Sequence, residues 1–142
     1  MERREFLGSL TGPVAAVCAV CMGACSKTAG SSNSGSPITP PTANFTIDLA
    51  SNLLTVGSSM VQSGVIVVRL AAGNTIGSFT AVQVACTHEG TSINWNAPTN
   101  GFLCPNHGSR FTSAGSVTLG PASSNLKAYN VSISGNIMTV SG

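Results

Sequence analysis

Cys86-Thr87-His88-Glu89-Gly90 and Cys104-Pro105-Asn106-His107-Gly108-Ser109 are the two stretches on which the reading of this chain turns. They spell C-x-H, a spacer of fifteen residues, and C-x2-H. Gly90, Pro105, Asn106 and Gly108 put both motifs in turn-forming sequence. Two thiols and two imidazoles, presented as two pairs on two loops, are a donor set for a metal centre. A structural zinc is one candidate. Zinc sites usually pair like with like, as C-x2-4-C and H-x3-5-H, whereas each pair here is mixed and C-x-H is tight for a zinc knuckle. A second alternative has no metal at all, with the cysteines buried as small hydrophobes.

Outward from the two motifs, the sequence reads as strands. Phe45-Thr-Ile47-Asp-Leu49 alternates apolar and polar. Val65-Ile-Val-Val-Arg-Leu70 is a largely β-branched run, suited to a strand covered on both faces. Phe79-Thr-Ala-Val82-Gln-Val84 runs directly into the first motif. Tyr129-Asn-Val131-Ser-Ile133 and Ile137-Met-Thr-Val140 flank Ser134-Gly135-Asn136, a hairpin signal. No stretch after residue 42 combines a helical period with caps. The expected fold is all-β, a small antiparallel sandwich or barrel with the two metal-binding loops at one end.

The mixed pairing suits an asymmetric iron–sulfur cluster, in which two Cys hold one iron and two His replace Cys on the other. Together with the flanking Gly90, Pro105, Gly108 and Ser109, the two motifs resemble the Rieske [2Fe-2S] family. The resemblance continues through Arg110-Phe111, Gly115, Gly120-Pro121-Ala122 and Leu126-Lys127-Ala128-Tyr129, and covers roughly residues 65 to 142. It implies that Cys86 and Cys104 hold the inner iron and that His88 and His107 hold the outer one. It also implies rubredoxin-like placement of the two loops, with the Gly-Pro segment covering the cluster beside them. Charge counting gives the His ligands their meaning. Two thiolates leave the oxidised centre near zero, where four would leave it at about −2, so an electron is accepted more readily.

Three departures bear on the potential. In the cytochrome bc-type members each ligand loop carries a second Cys, and the two form a disulfide. Thr91 and Asn106 stand at those positions here, which marks a disulfide-lacking type. Glu89 stands where those proteins often place Leu. Phe111 stands where high-potential members have a Tyr that donates to a ligand sulfur, while Ser109 is retained at a position whose hydroxyl, in the family, donates to a bridging sulfide. The expected potential lies in the middle-to-low part of the family range, about −100 to +150 mV.

The N-terminal part has a different character. Arg3-Arg4-Glu5-Phe6-Leu7 and the apolar Pro13–Ala24 look like a twin-arginine export signal, residues 1–24. That route exports folded proteins, so a cluster is inserted first. Met22-Gly23-Ala24-Cys25-Ser26 resembles a lipobox, with Cys25 as the lipidated mature N-terminus. Cys18 and Cys21 each follow Val and read as filler in the leader. An uncleaved anchor from Phe6 to Cys25 is the alternative, just long enough to span a bilayer but interrupted by Gly, Ser, Thr and Pro. Residues 25–42, rich in Ser, Gly and Pro, read as a flexible linker, and residues 43–142 as the domain. The expected location is outside the bacterial cytoplasmic membrane, tethered to it at the periplasmic side or cell surface.

Composition limits the function. Only 7% of the 142 residues are charged, and the formal net charge is +2. Without a Lys/Arg patch, nucleic acid is excluded as a partner. The chain has two histidines, His88 and His107, and the cluster takes both. None remains for the 2-His-1-carboxylate iron of an oxygenase. The leading expectation is one-electron transfer with a redox partner protein, either alone or as the small subunit of a larger oxidoreductase such as an arsenite oxidase or a quinol-oxidising bc complex. A zinc-stabilised, non-redox surface module is the competing reading.

Overall fold

The computed structural model describes residues 37–142. The twin-arginine leader, Cys25 and the linker up to residue 36 lie outside the described residues. No helix among the described residues is long and apolar enough to cross a membrane.

The fold is all-β and antiparallel, in three sheets. The first sheet holds β1 (Asn44–Asp48), β10 (Ile137–Ser141) and β9 (Asn130–Ser134), in that order. The second holds β2 (Ser59–Gln62), β3 (Val65–Arg69) and β4 (Phe79–Gln83). The third holds β5 (Asn94–Asn96), β6 (Gly101–Leu103), β7 (Arg110–Thr112) and β8 (Val117–Leu119).

The β-branched run of β3 organises the layers. All five of its residues are buried. Side chains alternate across a strand, and the two faces of β3 enter two different cores. Val65 and Val67 join Phe45, Ile47, Met138 and Val140 of the first sheet. Ile66 and Val68 join Cys86, Phe102, Cys104 and Phe111 on the other side. The β2–β3–β4 sheet is thus a middle layer with apolar packing on both faces. Each fully buried valine contributes roughly 1.5–3 kcal/mol by removing apolar surface from water.

Arg69 closes β3 and is buried, with no carboxylate partner among the described residues. Its guanidinium donates to the carbonyls of Leu53 and Gly73 and to Asn74 Oδ1. It also lies 4.5 Å from the centroid of the Phe79 ring. A buried charge needs such partners to be tolerated.

Turn chemistry sets the registers. Ser134 pairs with Ile137, which leaves Gly135-Asn136 as a two-residue turn with φ +59° at Gly135. Gln62 pairs with Val65 across Ser63-Gly64, where both φ angles are positive, +52° and +76°. Two positive φ values match the right-handed twist of the flanking strands.

The last residues of the stretch read as a linker lie along the domain. The Tyr129 hydroxyl donates to the Pro41 carbonyl at 2.6 Å. Ala43 and Gly142 exchange two backbone hydrogen bonds of 2.8 and 2.9 Å, which ties the start of β1 to the end of the chain.

Candidate metal centre

The two motif loops are built alike. Ala85 bridges Ser92 across the first, and Leu103 pairs with Arg110 across the second. Each pair therefore closes a six-residue loop, 86–91 or 104–109. Within each, the cysteine carbonyl accepts from a glycine N–H four residues on: Gly90 to Cys86 at 2.8 Å, Gly108 to Cys104 at 3.0 Å. The cysteine N–H donates to the next carbonyl, Thr91 or Ser109, at 2.8 Å in both. Gly90 and Gly108 have φ of +79° and +77°, left-handed conformations that glycine adopts without steric cost. The sequence carried this signal as C-x3-G-[ST] repeated at an offset of eighteen residues. Reading only the Cys and His spacing missed it.

The two cysteines sit at the base of the loops and are buried free thiols. Burial pushes the Cys86 thiol above its usual range. The nearby Cys104 thiol pushes the same way, while hydrogen bonds from the His88 backbone N–H and the Ser109 hydroxyl oppose it. Burial, the largest of these influences, disfavours the charged thiolate.

The imidazoles stand further out. His88 and His107 meet edge to face, with ring centroids 5.0 Å apart and planes at 82°. His107 is exposed and His88 half-buried. His107 Nδ1 lies 3.6 Å from Glu89 Oε2, and Asn106 Nδ2 donates to the same oxygen at 3.2 Å. Glu89 and Asn106 thus link the tips of the two loops.

A third segment backs both loops. The Ala122 N–H donates to Ser109 Oγ at 2.9 Å, and the Thr87 hydroxyl donates to the Ser124 carbonyl at 2.6 Å. Gly120-Pro121-Ala122 therefore lies beside the two motifs. Gln83 braces the base: its Nε2 donates to the Ala85 carbonyl at 2.7 Å, and its Oε1 accepts from the Lys127 N–H at 2.9 Å. Nothing in the spacing singled out Gln83, although a polar residue at a fully buried strand position implies such a role.

The structure thus buries Cys86 and Cys104 in one core and brings His88, Glu89 and His107 together at the loop tips, their ligand atoms within 4.8 Å of one another. That asymmetry fits a cluster with one thiolate-held and one imidazole-held iron. An antiparallel β-sandwich with two Cys/His loops at one end defines a class of small iron–sulfur proteins. The chain belongs to the Rieske [2Fe-2S] domain family, whose profile matches residues 46–130, and this domain binds a [2Fe-2S] cluster. The match begins within β1, earlier than the motif resemblance reached.

The chain is 42% identical over 66 residues to the cytochrome b6-f complex iron-sulfur subunit of Synechococcus sp. (strain CC9605), covering 46% of this chain and 36% of that one. It therefore spans about a third of the length of this curated relative. A chain of a hyperthermophilic respiratory Complex III is 25% identical with a TM-score of 0.53, over 66% of this chain and 71% of that one. The ferredoxin of carbazole 1,9a-dioxygenase from Nocardioides aromaticivorans IC177 shares the fold, with 24% identity and a TM-score of 0.54 over 71% of this chain and 97% of that one.

Proposed function

We propose that this protein is a one-electron carrier of the disulfide-lacking type, in which Cys86 and Cys104 hold one iron and His88 and His107 the other. The observation that carries the reading is the layered donor set: two buried thiols beneath two outward imidazoles on like-built loops. When bound, the cluster supplies reversible uptake of a single electron. Cys86 and Cys104 keep their sulfurs away from water. With the cluster bound, the Ser109 hydroxyl and the His88 N–H are the donors that stabilise negative charge on sulfur. His88 and His107 form the outer edge, where a redox partner approaches. Glu89 places a carboxylate at that edge.

The partner is a larger oxidoreductase. This reading is supported by the cytochrome b6-f subunit and the Complex III chain to which the sequence is similar. The chain is exported by the twin-arginine leader, residues 1–24, and lipidated on Cys25. Residues 25–42 connect the lipid to the domain at 43–142.

Iron, sulfide and zinc analysis of the purified full chain tests the assignment. Two irons and two sulfides per chain are expected. Zinc alone, in protein from iron-replete cells, would replace the carrier by the zinc-stabilised module. Membrane fractionation of wild type and Cys25→Ala tests the tether, with the variant expected in the soluble fraction. Mass spectrometry finding residues 1–24 still attached would favour the uncleaved anchor.

A further inference from the structure

We propose that residues 37–41 form a further wall of the metal centre, with Ile38 a positioning residue for the loop that carries Cys86 and His88. The inference deepens the proposed function and rests on its ligand assignment.

The two motif loops are alike in their own geometry. Their closing pairs, their cysteine–glycine hydrogen bonds and their glycine φ values match. Their outer surroundings do not. A Cβ built on Gly108 would meet nothing within 4 Å, whereas one built on Gly90 would lie 3.2 Å from Ile38 Cδ1. The first loop therefore has an aliphatic side chain resting on its turn, and the second has none there among the described residues.

Two further contacts hold Ile38 there. The Pro41 carbonyl accepts the Tyr129 hydroxyl at 2.6 Å. The Pro41 ring sits over Gly64, with Cγ only 2.7 Å from where a Cβ would be, so no larger residue fits beneath it without a shift. Pro37, Pro40 and Pro41 also limit the backbone freedom lost when the segment lies down. Between segment and body is a space of about 300 Å3, bordered by Ile38, Pro40, Gln83, Thr87 and Lys127. The Gln83 amide and the Thr87 hydroxyl are already paired within the protein. The segment is held at its two ends, on Gly90 and on Gly64 and Tyr129, and spans this space between them.

The consequence is an unequal pair of loops. The turn bearing His88 is stiffened and shielded by the segment that precedes β1. The turn bearing His107 depends on its own hydrogen bonds, on Ser109 and on the contacts of Glu89 with Asn106 and His107. Tension along the chain before residue 37 would act first on the Cys86 loop.

Hydrogen exchange on the full chain tests this at two matched amides, Gly90 and Gly108. Ile38→Gly is expected to speed exchange at Gly90 by about tenfold, the size of a lost aliphatic contact, and to leave Gly108 unchanged. Ile38→Leu should restore the wild-type rate. The same Ile38→Gly change should raise the reduction potential, because water reaching the first loop stabilises the added negative charge. Ile38→Leu should return it. Equal effects at Gly90 and Gly108, no effect at either, or a change that Leu does not rescue would overturn the proposal. So would faster exchange at Gly90 with an unmoved potential. Exchange can be read with or without the cluster. A zinc-only protein would sink the ligand assignment and leave the contact between Ile38 and the Gly90 turn to be judged by exchange alone.

Discussion

At the scale of single residues, the centre depends on a few short hydrogen bonds. Ser109 is fully buried, and its oxygen accepts from the Ala122 N–H at 2.9 Å, which leaves its hydroxyl hydrogen for the sulfur of the proposed centre. Ser109→Ala should lower the potential, because a donor to sulfur stabilises the reduced centre. It also strands a buried N–H, at a cost of about 1–3 kcal/mol in stability. Voltammetry and urea unfolding read the two effects separately. Glu89→Gln should act the other way. It keeps a partner for Asn106 and removes a negative charge 3.6 Å from His107. The potential should rise, on the order of tens of millivolts, and the shift should shrink as salt screens an exposed charge. The chemistry of the four motif residues was legible from residue type alone. The contact between Glu89 and His107 was not, because it joins residues eighteen positions apart on two different loops.

At the scale of elements, legibility followed length. β1, β3, β4, β9 and β10 each have five residues, and their patterns were readable. β5 to β8 have three residues each, too few to establish a period of two. They are held by the loops they carry as much as by their own side chains. β2 was missed although Ser63-Gly64 marks its turn, because Ser-Met-Val-Gln shows only weak alternation. The two loop glycines give an element-scale prediction. Ala at φ near +80° is strained by roughly 1–2 kcal/mol. Gly90→Ala should lose more stability than Gly108→Ala, because only the former meets Ile38. Chemical denaturation of the two variants measures the difference.

The edge where Pro37–Pro41 meets β9 gives a pH-dependent prediction. Burial raises the Tyr129 phenol above its ordinary value of 10.0. The folded chain therefore keeps this proton where the unfolded chain releases it. The stability from this group is complete below pH 10 and is lost as pH rises towards the folded value. Tyr129 is the chain's one tyrosine, so its ultraviolet titration is unambiguous. The midpoint should lie above 10 in the folded protein and return to about 10 in denaturant. Tyr129→Phe should remove this component of the pH dependence.

At the scale of the whole molecule, the middle sheet separates two tasks. One core joins it to the sheet containing both ends of the domain, and the other joins it to the metal centre. Val67 and Val68 are neighbours, both fully buried, and belong to different cores. Val67→Ala and Val68→Ala should each cost about 1–3 kcal/mol. Only Val68→Ala should also hasten loss of iron to a chelator, because it loosens the packing around Cys86 and Cys104.

The central claim is that two thiolates and two imidazoles share one binuclear centre. Electron paramagnetic resonance of the dithionite-reduced full chain tests it most directly. The account predicts one unpaired electron per two irons, with an average g-value below that of clusters held by four cysteines, and nitrogen hyperfine coupling that is lost in part in His107→Cys. A signal with the average g-value of an all-cysteine cluster, or no signal from protein carrying zinc, would contradict it.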